Sequence, residues 1–270
     1  MEGLSLSEWI RKLEINGINT FSFEEVLENF SNTSKQTLFN SLYRQSMKKR
    51  IVSVYKGFYV IIPPQYAAKG VVTPMYYIDQ LMSYIGKPYY IGLLNAAELH
   101  GAAHQRPQQF SVITTYPSAN VSKIKNNILE WVYRKTIPAK FLQQKNSETG
   151  TIRYSSPELT AIDLVQYEQH IGGLSRAATV LAELTEQTDF SKITKEFLDV
   201  TTVSTIQRLG FILENIIEET EQADILFEQL RNYGKRLNYI PLSSRSTYNN
   251  ISKDYRWKIH INTELEIDVL

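Results

Sequence analysis

Gln36, Thr37, Asn40, Tyr43 and Arg44 can all hydrogen-bond to base edges or phosphates, and they recur at helical spacing in a stretch where cations gather and acids are missing. From Asn29 to Ile78 the chain carries seven basic residues, Lys35, Arg44, Lys48, Lys49, Arg50, Lys56 and Lys69, and no Asp or Glu. The whole chain nevertheless has a formal charge of only +1. Lys and Arg number two against six acids over residues 1–28, eleven against two over 29–129, and sixteen against twenty over 130–270. Clustered cations attract phosphate, and nearby acid would repel it, so the first half is expected to hold a polyanion-binding unit. Glutamine and asparagine pair with adenine and arginine with guanine, while threonine and tyrosine reach phosphates or the thymine methyl.

Other chemistry is thinly represented. His100 and His104 stand four apart and could share a metal on a continuous helix. Gly101 weakens that geometry, and His170 and His260, the remaining histidines, do not complete a cluster. Asp163 and Lys140 could be imagined in a nuclease centre, but the spacing of an acid followed by Glu-x-Lys on one strand is missing. There is no phosphate-binding glycine-lysine loop, nucleophile elbow or dinucleotide turn, so neither an enzyme nor a bound cofactor or metal is expected. With no cysteine, disulfides and thiolate chemistry are excluded. The N-terminus lacks a cationic-then-apolar leader and no long uncharged apolar run occurs, which predicts a soluble cytoplasmic protein without a membrane association.

The elements that must position the basic residues can be read from periodicity. Leu6, Trp9, Ile10 and Leu13 follow the i, i+3, i+4, i+7 pattern of a first helix, stopped at Asn16-Gly17. Ser22 caps a second, with Glu24 and Glu25 in its first turn. A third runs from about Lys35 to Lys49 with Leu38 and Leu42 as its buried stripe. The helical period then turns Gln36, Thr37, Asn40, Tyr43, Arg44 and Met47 to the opposite side. Ile51–Tyr55 and Phe58–Ile62 flank Lys56-Gly57 as a hairpin. Three helices and a hairpin make the layout of a winged helix-turn-helix over residues 1–66. Lys48, Lys49 and Arg50 would contact the DNA backbone, Lys56 at the hairpin tip would lie on a neighbouring phosphate or in the minor groove, and Lys35 counts with the DNA-binding residues. The same module could instead grip a protein, or present a solvated basic face.

Residues 67–75 read as a linker to a larger mixed α+β domain over 76–270, so the fold class expected is α+β. Helical stretches are expected over Tyr76–Ile85, Ile91–Leu99, Leu159–His170, Leu174–Leu184 and Ile193–Ile217. Short strands are expected at Phe110–Thr114, Leu129–Tyr133, Lys140–Gln144, Thr151–Tyr154, Trp257–Ile261 and Leu265–Val269. Glu214, Glu218, Glu219, Glu221, Asp224 and Glu228 form an acidic helical run, read as a solvated face or as a docking surface for a basic partner.

Several strings, in order, carry a resemblance. Gly57-Phe58-Tyr59-Val60-Ile61, the stretch Tyr90–Gly101, Pro157–Val165, Gln207–Glu214, and the tail from Ile240-Pro241-Leu242 to Trp257–Asn262 resemble the AbiEi-type antitoxin and transcriptional regulator family. The resemblance implies a regulator from a type IV toxin-antitoxin, or abortive phage-infection, operon. Its winged domain would bind double-stranded DNA at operator repeats and repress its own promoter. Its C-terminal domain would counteract a nucleotidyltransferase-like toxin without requiring a stable complex. The family has no catalytic motif to carry over, and the polar and aromatic third helix, with Gln36, Asn40 and Tyr43, departs from its pattern.

Overall fold

The structure, a computed structural model, describes residues 4–68, 70, 72–102, 107–117, 128–246 and 252–267. The chain divides into two compact units, residues 1–89, 114–135 and 144–153 in one and 90–113, 136–143 and 154–270 in the other.

In the first unit, the spaced apolar residues near the start form α1 (Leu6–Ile15), and Ser5 and Glu8 close a capping box at its N-terminus. β1 (Thr20–Ser22) leads into α2 (Phe23–Asn29). Here Glu25 N–H donates to Ser22 Oγ at 3.1 Å and Ser22 N–H donates to Glu25 Oε2 at 2.6 Å. Two otherwise orphaned donors are satisfied by two side chains, so Ser22→Ala is expected to cost about 1 kcal/mol. A urea titration reads this as a lower midpoint at constant slope, and an unmoved midpoint would show that the box adds nothing.

α3 (Lys35–Met47), β2 (Ile51–Tyr55) and β3 (Phe58–Ile61) complete the N-terminal part. The strands form an antiparallel sheet in the order β1-β3-β2, with Phe21 opposite Tyr59 and Ile51 opposite Ile61. β1 is too short to show alternation in sequence, and it is recognisable only through its pairing with β3. The core gathers Trp9, Ile10, Phe21, Val26, Leu38, Leu42, Ile51 and Tyr59. Trp9 meets Phe21 edge-on, with ring centroids 5.2 Å apart. The expected linker contains short 3-10 turns at Pro64–Tyr66 and Pro74–Tyr76, with Lys69 and Val71 outside the described residues. α4 (Ile78–Ile85) follows.

Next come β4 (Tyr89–Ile91), α5 (Leu93–Leu99), β5 (Phe110–Thr115), β6 (Leu129–Arg134), β7 (Leu142–Ser147) and β8 (Gly150–Ser155). Their strands form a sheet in the order β6-β5-β4-β8-β7. The helix expected to begin at Ile91 starts instead at Leu93. Tyr89, Tyr90 and Ile91 are a fully buried strand, and an apolar run covered on both faces has no period that separates strand from helix. The strand expected from Lys140 begins at Leu142, after a 3-10 turn at Ala139–Phe141.

The second unit is built around α6 (Pro157–Gln166), buried from Pro157 to Val165. Its polar groups are satisfied internally. Tyr90 Oη donates to Asp163 Oδ2 at 2.6 Å, and Thr160 Oγ1 donates to the Ser156 carbonyl at 2.8 Å. α7 (Leu174–Leu184), α8 (Lys195–Asp199), α9 (Val203–Asn215) and α10 (Thr220–Tyr233) pack in the same unit. The single helix expected over Ile193–Ile217 is therefore two. Thr194 and Thr202 each accept a hydrogen bond from a backbone N–H three residues on and start a new helix. A small sheet of β9 (Ile240–Pro241), β10 (Ser252–Asp254) and β11 (Ile259–Ile261), ordered β10-β11-β9, closes the unit. Of the strand expected over Leu265–Val269, residues 265–267 are not in a strand and Asp268 and Val269 lie outside the described residues. The molecule is thus mixed α+β.

Candidate nucleic-acid interface

α3 is set in place from its buried side. Leu38 and Leu42 are 2% exposed and Gln45 joins them, so the helix can lie in only one rotation. Ser34 caps it by accepting from Thr37 N–H at 3.2 Å, with the two hydroxyls 2.9 Å apart. That rotation leaves Lys35, Gln36, Thr37, Asn40, Tyr43, Arg44, Met47 and Lys48 exposed. Gln36 Nε2 donates to Asn40 Oδ1 at 3.3 Å, so the two amides form one pair on the outer face.

The first turn of α3 is electrostatically unlike those before it. α1 and α2 place Glu8, Glu24 and Glu25 there, where carboxylates complement the positive helix end. α3 has no acid in its first turn and begins with Lys35, so dipole and side chain add with the same sign. An arriving anion relieves that arrangement.

Lys49 and Arg50 stand differently. Lys49 takes a positive φ of 54° after the helix, and its ammonium donates to the Ala68 carbonyl at 3.2 Å. Arg50 is half-buried and its guanidinium donates to Ser7 Oγ of α1 at 3.1 Å. Both side chains tie the module together.

At the hairpin tip Lys56 is exposed and Gly57 takes φ +74°, as the tight turn requires. A Cβ on Gly57 would come 2.8 Å from Tyr84 Oη. That hydroxyl donates to the Lys56 carbonyl at 3.3 Å and stands 3.4 Å from Glu24 Oε2. Acid missing from the sequence between 29 and 78 thus returns in space through Glu24, making the tip less basic than the run of residues suggests. Periodicity gave no sign of Tyr84 or of Phe39, which stacks on Phe23 with ring centroids 4.1 Å apart and stays 47% exposed.

In the second unit, the acidic run spans the end of α9, the connection after it and α10, and is partly neutralised. Arg256 donates to Glu214 and to Asp224, and its guanidinium lies 4.6 Å from the centre of the Phe227 ring. Glu218, Glu219, Glu221 and Glu228 remain exposed. His100 ends α5 as its C-cap and its Nε2 lies 2.8 Å from the Ser155 carbonyl, while His104 is outside the described residues. Among the described residues no three acidic or histidine side chains gather as metal donors. Asp163 is bonded to Tyr90, and Lys140 pairs with Glu196 at 2.6 Å. A cavity of 520 Å³ is lined by His100, Lys140, Phe141, Glu158, Lys192 and Phe197 among others.

Burial lowers the pKa of His100, against opposing effects of its bond to Ser155 and of Glu158. Above about pH 6.5 neither the folded nor the unfolded form is protonated. As pH falls below that, the unfolded chain takes up a proton the folded chain refuses, so stability declines until folded His100 also titrates. His100→Asn is expected to flatten the difference in thermal midpoint between pH 7 and pH 5, and an unchanged difference would clear His100 of the effect.

The mixed α+β fold places the chain in a class already represented by a solved structure. It is similar to the RV2827C protein from Mycobacterium tuberculosis, with a TM-score of 0.68 at 11% identity, covering 94% of this chain and 90% of that one. At that identity the likeness is one of fold. Residues 90–215 match the family model of the AbiEi antitoxin C-terminal domain, and this segment is similar to the AbiEi-type antitoxins. The match supports an antitoxin role, with a toxin as its general counterpart, and the family is not a class of enzymes. No curated protein matches the chain. Among the described residues no helix is long and apolar enough to cross a membrane.

Proposed function

We propose that this protein is the antitoxin of a type IV toxin-antitoxin operon and also represses its own promoter. Residues 1–66 act as a winged helix-turn-helix on double-stranded operator DNA, with α3 in the major groove and the β2–β3 hairpin as wing. Residues 76–270 counteract a nucleotidyltransferase-like toxin. The observation that carries the DNA half is α3 itself, a helix with no carboxylate whose outer face joins Gln36, Asn40 and Tyr43 with the cations Lys35, Arg44 and Lys48. Base-reading side chains flanked by phosphate-seeking cations are what groove recognition requires. The antitoxin half rests on the family of residues 90–215.

Affinity for the promoter duplex is expected to fall linearly on a log–log plot against salt, by roughly 0.9 per phosphate neutralised. Gel-shift titrations over a salt series measure the slope, and binding indifferent to salt would end the DNA reading. For the other half, co-expression with the toxin encoded beside it should restore growth. A neighbouring reading frame unrelated to nucleotidyltransferases would remove the toxin assignment while leaving DNA binding intact.

A further inference from the structure

Along the outer crest of α3 the side chains run Gln36, Asn40, Tyr43, Met47, spaced by four, three and four residues, which keeps them in one line on the helix. The crest carries no charge. Tyr43 and Met47 are 66% and 67% exposed, a large apolar area left in water on a small module. Arg44 sits one residue on from Tyr43, about 100° round the helix, and Lys35 and Lys48 stand at the two ends.

From this arrangement, and resting on the DNA reading above, we infer that the crest of α3 selects A·T base pairs, with Tyr43 and Met47 contacting thymine 5-methyl groups and the Gln36–Asn40 pair reading an adenine edge. The Gln36 to Asn40 hydrogen bond uses one donor and one acceptor, leaving Gln36 Oε1 to accept and Asn40 Nδ2 to donate. Adenine presents an N6 donor and an N7 acceptor in the major groove, and the same base pair supplies the thymine methyl beside them. Guanine is read chiefly by arginine or lysine, and on this helix Arg44 stands about 100° round from Tyr43, while Lys35 and Lys48 stand at the two ends of the crest. The cations decide the occupant of the apolar strip. A second copy of the helix would bring Lys35, Arg44 and Lys48 against their own kind, whereas DNA offers methyl groups between two lines of phosphate.

The test is a selection of bound sequences from a randomised duplex pool, followed by resynthesis of the winners with deoxyuridine at every thymine. Deoxyuridine keeps charge and hydrogen-bonding edges and removes only the methyls. Enrichment of A·T pairs is expected, with about a tenfold loss of affinity on replacing thymine, as two buried methyl contacts predict. Tyr43→Ser with Met47→Ser should bind thymine and deoxyuridine duplexes equally. Enrichment of G·C pairs, or wild-type affinity indifferent to the methyl, would overturn the inference while leaving DNA binding in place. No binding to any duplex at low salt would overturn both. Loss of self-association in the double variant, with the thymine preference intact, would assign the strip to a second copy and overturn the inference as well.

Discussion

Gly210→Ala is expected to destabilise the second unit by about 3 kcal/mol, at the upper end of what overpacking costs. In an exposed helix the same change would stabilise by nearly 1 kcal/mol through helix propensity. The sign is reversed here because Gly210 lies in α9 directly under the Trp257 indole, and a Cβ would fall far inside contact distance of three ring carbons. Trp257 cannot easily yield. It is fully buried, its Nε1–H donates to Glu214, its N–H donates to Asp254 and its carbonyl accepts from Gln207. Moving the residue would strain its bonds to α9, at Gln207 and Glu214, and to the end of β10 at Asp254. The thermal midpoint should drop by several degrees, and a rise would refute the packing argument. Trp257→Ala should be at least as costly, about 3–5 kcal/mol. In that background the added methyl should cost little, giving a large coupling energy in the double-mutant cycle.

Trp257 also shows which parts of this fold can be read from its sequence. α1, α2, α3 and the β2–β3 hairpin were legible because local signals agree: a helical apolar stripe at Leu6, Trp9 and Ile10, a serine cap at Ser22, and a two-residue glycine turn at Lys56-Gly57. The outer face of α3 was legible for the same reason, since Leu38 and Leu42 fix the rotation of everything else. Signals that depend on distant residues were silent. Tyr89–Ile91 is a strand because sheet partners cover it, and nothing in three apolar residues says so. Arg256 neutralises Glu214 and Asp224 across more than thirty residues of sequence, so the acidic run looked more available than it is. The acid-free block misled in the same way at the hairpin tip, where Glu24 returns through Tyr84. The divided helix over Ile193–Ile217 is a different case, because threonine occurs inside helical stretches as well as at their caps, so Thr194 and Thr202 alone do not mark the break.

If α3 meets phosphate through the cations that the fold leaves free, charge reversal at Arg44 and Lys48 must act differently from removal of Lys49 and Arg50. Arg44→Glu with Lys48→Glu is expected to weaken DNA binding by at least about a hundredfold near physiological salt, taking each charge-assisted contact at roughly 1.5 kcal/mol. Losing two phosphate contacts should also lower the magnitude of the log–log salt slope by about 1.8. Both side chains are exposed, so the unfolding midpoint should barely move. Arg50→Ala should do the reverse. It removes the guanidinium that donates to Ser7 Oγ, so the first unit should melt earlier while the salt slope changes little. Lys49→Ala, which loses the bond to the Ala68 carbonyl, belongs with Arg50. Measuring slope and midpoint on the same variants separates a contact with DNA from one that holds the module together. If the Arg44 and Lys48 variant kept its slope while the Arg50 variant lost it, the cations facing DNA would be Lys49 and Arg50, past the end of α3, and the outer face of the helix would be free for another use.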